Sequence, residues 1–216
     1  MPHLDIHAVL KQHWGYDVFR PLQEDIINSI LSGQDTLALL PTGGGKSLCF
    51  QVPAMAMEGI CVVVSPLIAL MKDQVQNLMK RDIPAVALFT GMSKREIDIA
   101  LDNCIYGKIK FLYVSPERLL TDIFRERFKK MKVNLIAIDE AHCISQWGYD
   151  FRPPYLQIAE LRPFFPNVPI AALTASATKK VCDDIQEKLA FKKPNLFRAS
   201  FARPNIGFIV RETDNK

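Results

Sequence analysis

Glycine is scarce in this sequence, 10 residues in 216, and three of the ten stand side by side at positions 43–45. Such a chain is not collagen-like, and it carries no low-complexity tract, so the cluster needs a local reason. Paired cysteines are missing as well: the five cysteines are scattered, odd in number, and never form Cys-x-x-Cys. This argues against a disulfide framework or a zinc site and for reduced, buried thiols. No long apolar run occurs, since the most apolar stretch, 60–71, is broken by Ser65 and Pro66 and is too short to span a bilayer. Nor does a charged-then-apolar leader open the chain, so a soluble intracellular protein with no membrane partner is expected. Charge of one sign is also lacking. With 27 basic and 23 acidic residues, the net +4 permits a basic groove without demonstrating one.

What is present suits one large α/β domain, with 49% hydrophobic and 23% charged residues. Apolar runs of strand length fall at 36–40, 61–64, 85–89, 111–114, 133–138 and 170–173. Helical spacing lies between them, at 24–31, 67–79, 94–104, 117–128 and up to Leu189, after a short amphipathic helix at 5–14. Pro21 suits the first turn of its helix, and 67–79 turns Leu67, Leu70, Met71, Val75 and Leu78 inward. Strand and helix alternate, which predicts a doubly wound, mainly parallel sheet with helices on both faces and functional groups at the strands' carboxyl ends.

The glycine cluster follows the first strand and precedes a helix that opens with Lys46 and Ser47. Thr42, Gly43, Gly44 and Gly45 let backbone N–H groups close on a phosphate chain. Lys46 reaches the β- and γ-phosphates, and the Ser47 hydroxyl can ligate Mg²⁺. Leu40 stands where the strict pattern has glycine, and a start at Pro41-Thr42-Gly43 is helicase-like. Upstream, the Gln23 amide can pair with adenine while Tyr16 and Arg20 sandwich the base; alternatively this is an ordinary helix start. Asp139 and Glu140 end an apolar strand. They can hold Mg²⁺ and activate water respectively, or simply cap the next helix. His142 follows, and the hydroxyls around Thr174 and Ser176 can bond to it.

Trp147, Tyr149 and Phe151 crowd a segment with Gly148 and Arg152. Such rings stack on bases irrespective of sequence, or else fill an irregular core connection. Ser65, Lys72, Gln74, Ser115 and Arg118 lie near strand ends where DNA phosphates could be gripped, or belong to a solvated surface.

The motifs Gly15-Tyr16, Phe19-Arg20-Pro21, Gln23, PTGGGKS, VVVSPLIALMKDQV, YVSPERL, DEAHCISQWGYDFRP, ALTASAT, Phe201 and Arg203-Pro204-Asn205 resemble the RecQ family of DNA helicases in order. Departures are Leu22 where glycine is common, Tyr149 where bacterial members usually have histidine, and Ser176 where threonine is usual. The resemblance implies a RecA-like P-loop domain over 34–210, an N-terminal helical segment with adenine-recognition motif at 1–33, and a frayed end at 211–216. It also implies ATP and Mg²⁺ as cofactors, with Lys46, Asp139, Glu140 and His142 as catalytic residues. The expected partners are single-stranded and partly duplex DNA and a second, C-terminal RecA-like domain that supplies an arginine finger; alone, this chain is expected to be an incomplete motor. The parent would move 3′ to 5′ in repair and recombination, nucleoid-associated in the cytoplasm if bacterial and nuclear if eukaryotic. An RNA helicase of the same superfamily, or a binding module without hydrolysis, is the alternative.

Overall fold

The computed structural model describes residues 4–200 and Gly207. Phe201, Arg203, Pro204, Asn205 and the tail 211–216 lie outside the described residues. In order come α1 (Ile6–Trp14), α2 (Gln23–Leu31), β1 (Thr36–Leu39), α3 (Lys46–Ala56), β2 (Ile60–Val64), α4 (Ile68–Met79), β3 (Ala85–Leu88) and α5 (Lys94–Tyr106). Then follow β4 (Phe111–Val114), α6 (Asp122–Phe128), β5 (Val133–Ile138), β6 (Ile170–Thr174), α7 (Lys179–Lys188) and β7 (Leu196–Arg198). All strand pairings are parallel, in one sheet of order β3-β4-β2-β5-β6-β1-β7. The expected α/β class and doubly wound sheet are present. Among the described residues no helix is long and apolar enough to cross a membrane.

Two-residue periodicity divides the core. Leu37, Leu39, Val62, Val64, Ile136 and Ile138 point to one face, against α5, α6 and α7. Ala38, Cys61, Val63, Leu135, Ala137 and Leu173 point to the other, against α2, α3 and α4. Each fully covered Val, Leu or Ile contributes roughly 1.5–3 kcal/mol, which is why strands buried on both faces read as continuous apolar runs. Ile6, Val9 and Leu10 of α1 join Ile27, Val52 and Ala56 in a third cluster, so α1 packs against α2 and α3.

Local chemistry moves several boundaries. Pro21 precedes α2 rather than entering it, because Leu22 takes a left-handed φ of 69°. That conformation explains why glycine suits the position: a side chain there costs about 1–2 kcal/mol, offset here by packing of Leu22 on the core. Leu67 lies outside α4 and is 48% exposed, contrary to the expected inward face. The helix expected at 117–128 is a 3₁₀ turn (Pro116–Leu120) followed by α6, broken at extended Thr121, whose hydroxyl donates to Arg118 O at 2.8 Å. A 3₁₀ segment, Pro153–Phe164, and β7 were not legible in the pattern.

Asp35, also unforeseen, is buried just before β1. It accepts hydrogen bonds from Ile170 N and Lys192 N, each 3.0 Å, and pairs with Arg162 at 2.6 Å. One carboxylate therefore fixes the starts of β1 and β6 and the connection after α7. Asp35→Ala strands a buried guanidinium and is expected to cost about 3–5 kcal/mol, read from urea unfolding. A loss below about 1 kcal/mol would show that Arg162 finds another partner.

Candidate active site

The strand order sets the site. With β5 and β6 between β2 and β1, the carboxyl ends of neighbouring strands bring Ser65, Asp139, Thr174 and the phosphate loop together. A cleft of about 640 Å³ is lined by Tyr16, Arg20, Gln23, Thr42, Gly43, Gly45, Lys46, Ser47, Asp139 and Glu140. Gly44 lies between two of these, and its N–H turns back to Pro41 O at 2.9 Å. Glycine is required where the loop folds closely. A Cβ on Gly45, at φ 77°, would stand 2.3 Å from Gln23 Nε2, and one on Gly44 would meet Pro41 O at 2.8 Å.

Gln23 and Arg20 hold this loop from behind. Gln23 Nε2 donates to Gly45 O at 3.2 Å while Gln23 Oε1 accepts from Arg20 N at 2.9 Å; Arg20 Nη1 donates to Gly43 O at 2.5 Å. Gln23 is buried, so in this conformation its amide and the Arg20 guanidinium are committed to the loop rather than offered to a base. Tyr16, half exposed beside Val18, remains an open apolar surface.

Asp139 accepts Glu140 N at 3.0 Å, and the Ser65 hydroxyl lies 3.5 Å from its other oxygen. Burial, then the adjacent Glu140 carboxylate, raises its pKa from 3.8 to about 6. Glu140 takes a left-handed φ of 47°, a strained conformation of the kind found at functional sites. Its carboxylate sits 3.2 Å from His142 Nδ1, and this hydrogen bond holds its pKa below the ordinary value. His142 Nδ1 also lies 2.9 Å from Thr174 Oγ1, whose hydroxyl donates to Ser176 O at 3.2 Å. With the hydroxyl proton spent on Ser176 and a carboxylate on the other side, Nδ1 carries the imidazole proton. The hydroxyl partner expected for His142 is thus Thr174, at the end of β6. Tyr155 was missed: its hydroxyl donates to Asp139 O at 3.0 Å from the unforeseen 3₁₀ segment.

The aromatic segment stands over this network. Tyr149, 78% exposed, stacks on the His142 ring at 4.6 Å and 20°. Trp147 is 63% exposed, with Lys180 Nζ 3.0 Å from its ring centroid. Lys180 is in the first turn of α7, where the helix dipole disfavours a cation, so the ring's negative face is what accommodates it there. Phe151 is partly covered. Arg152 pairs with Asp150 at 3.1 Å and donates to Pro66 O at 3.4 Å, tying the segment to the end of β2.

The other side chains expected to meet DNA are in several cases buried or already bonded. Ser65 and Ser115 are buried, because the chain folds over the ends of β2 and β4, and offer no open hydroxyl to a phosphate. Gln74 accepts from Gln51 Nε2 at 3.1 Å and lines the nucleotide cleft. Arg118 is committed to Phe89 O at 3.2 Å. Lys72, exposed on α4, lies 4.6 Å over the Phe89 ring.

Residues 20–185 match the DEAD/DEAH box helicase family. The chain belongs to that family. This helicase domain is 46% identical over 205 residues to the ATP-dependent DNA helicase RecQ of Haemophilus influenzae, covering 95% of this chain and 33% of that protein. It is 43% identical to the putative ATP-dependent RNA helicase R290 of Acanthamoeba polyphaga mimivirus, covering 95% and 38% of the two chains. The fold is similar to that of the DEAD-box helicase Mss116 bound to single-stranded RNA and UDP-BeF, with TM-score 0.71, 22% identity, and 90% and 42% of the chains covered. The chain therefore spans about a third of the length of the RecQ relative. These likenesses bear out the RecA-like fold and the RecQ resemblance.

The donor set fits a magnesium nucleotide: a glycine cradle with no room for a Cβ at Gly44 or Gly45, a cation at Lys46, the Ser47 hydroxyl at the start of α3 and the Asp139 carboxylate at the end of β5. The Asp139 shift gives a pH dependence. Between 3.8 and about 6 the folded chain keeps a proton that the unfolded chain has lost, so stability falls as pH rises through that window. Mg²⁺ binding needs the carboxylate and runs the other way. Calorimetric affinity for a Mg-bound, non-hydrolysable ATP analogue is expected to fall about tenfold per unit below about pH 6, with metal-free binding less affected. A flat profile down to about pH 5 would remove Asp139 from the metal set.

Proposed function

We propose that this chain is the ATP-binding motor domain of a RecQ-like DNA helicase, which in its whole form parts duplexes while moving 3′ to 5′ in repair and recombination. The observation that carries the reading is the continuous network from the acidic pair through His142 to Thr174, capped by the aromatic segment. ATP is held by the phosphate loop and Lys46, with Tyr16 against the base. Gln23 and Arg20 would turn from the carbonyls of Gly45 and Gly43 to reach adenine. Ser47 and Asp139 would hold Mg²⁺, which would screen phosphate charge. Glu140 orients and deprotonates the attacking water, and His142 positions Glu140.

Trp147, Tyr149, Phe151 and Arg152 are assigned to DNA. A base stacked on Trp147 displaces Lys180, and movement of Tyr149 is felt directly by His142. Similarity does not separate DNA from RNA, because relatives of nearly equal identity carry both names. The aromatic segment, resembling that of RecQ proteins, favours DNA; competition of single-stranded DNA against RNA for stimulation of turnover tests this. Cleavage at speed calls for a second RecA-like domain facing the cleft, whose arginine finger adds roughly 10³–10⁵ in turnover. The working location is the nucleoid or the nucleus, according to source.

In the longest form of the protein, Lys46→Ala is expected to abolish nucleotide-dependent activity. Glu140→Gln should bind ATP normally and turn over roughly 10²–10⁴-fold more slowly, in filter binding and phosphate-release assays. Robust turnover by Glu140→Gln would sink the water-activating role.

Trp147→Ala should retain basal turnover and lose its stimulation by single-stranded DNA, a stacking contribution of ~1–3 kcal/mol per base. Unchanged stimulation would make the loop structural. The 216-residue chain alone is expected to bind Mg-ATP yet leave a 3′-tailed duplex unparted; strand separation would show that no second domain is needed.

A further inference from the structure

Behind the acidic pair lies a cluster of which the proposed hydrolysis uses only His142. His142, Cys143 and Asp150 each offer one ligating atom, the three atoms lying within 4.8 Å of one another. Cys143 Sγ is 3.8 Å from His142 Nε2 and 3.7 Å from Asp150 Oδ2. Ligands around a tetrahedral ion with bonds of roughly 2.0–2.3 Å stand about 3.2–3.8 Å apart, so only Asp150 has to close in on the imidazole.

The imidazole supplies an independent indication. Its Nδ1 proton is committed to Glu140 and Thr174, which leaves the lone pair on Nε2, the atom facing Cys143. A metal-bound histidine characteristically donates its other N–H to a carboxylate, and Glu140 is already in that position.

We propose that His142 Nε2, Cys143 Sγ and Asp150 Oδ2 form a binding site for a thiophilic divalent cation of the zinc class, with water as fourth ligand. One thiolate, one carboxylate and a neutral imidazole balance the double charge of such an ion, whereas Mg²⁺ prefers an all-oxygen set. Binding releases the thiol proton to solvent as the metal–sulfur bond forms. It also takes Asp150 from Arg152, which keeps its contact with Pro66 O.

The consequence, which rests on the proposed function, is inhibition. The ion clamps the aromatic segment to the turn after β5 and fixes the imidazole that positions Glu140, so DNA and hydrolysis are uncoupled. The other cysteines, Cys49, Cys61, Cys104 and Cys182, are buried in the body of the fold, and among the described residues this is the one such group of ligands.

The test titrates the 216-residue chain with Co²⁺, following thiolate-to-cobalt charge-transfer absorption, and then displaces it with Zn²⁺; it needs neither nucleotide nor DNA. One Co²⁺ per chain with that absorption is expected. The band should be absent in Cys143→Ser and the affinity at least tenfold weaker in Asp150→Asn, whose half-exposed side chain is no part of the core. No thiolate band in the native chain, a band that survives Cys143→Ser, or an affinity unchanged in Asp150→Asn would each overturn the site, whatever the domain's activity proves to be.

Discussion

The constraint on which the structure depends is that a parallel sheet must be covered on both faces. Crossover helices then run back along the sheet, and every strand delivers its carboxyl end to the same edge. Because β5 and β6 insert between β2 and β1, residues far apart in sequence become neighbours at that edge. The phosphate loop, the acidic pair and Thr174 are close for this reason alone. Asp35 secures the opposite edge with one buried carboxylate, fixing where β1 and β6 begin and so how far their other ends project.

At the functional edge, the polar side chains behind the acidic pair form a chain of contacts. Glu140 is drawn to His142, His142 to Thr174, and Tyr149 lies flat on the imidazole. A displacement of the aromatic segment therefore acts on the Glu140 carboxylate through two contacts. The segment's own tethers are weak: an exposed cation on a ring and a half-exposed ion pair, both screened by solvent. Strongly bonded machinery beneath a weakly held cover is a sound arrangement for coupling a nucleic acid to a nucleotide. The phosphate loop is held in a similar way, its carbonyls at Gly43 and Gly45 occupied by Arg20 and Gln23.

Strand positions, the nucleotide-binding loop and the acidic pair were legible because each writes a local signature. A strand buried on two faces must be apolar throughout, and a phosphate cradle must be free of side chains. The 3₁₀ segment after Arg152 and the short β7 were illegible, since neither has a periodicity of its own. Leu67 misled because helical spacing was extended one residue past the true start of α4.

The sequence by itself determined the class of fold, the residues around the phosphates and the resemblance to helicases, all of which depend on near neighbours along the chain. Only the tertiary structure decided what each polar group is bonded to. Burial withdrew Ser65 and Ser115 from solvent, strand order gave His142 its threonine, and a loop turning back on itself brought Asp150 to Cys143. Such pairings join segments through space, where sequence spacing carries no signal.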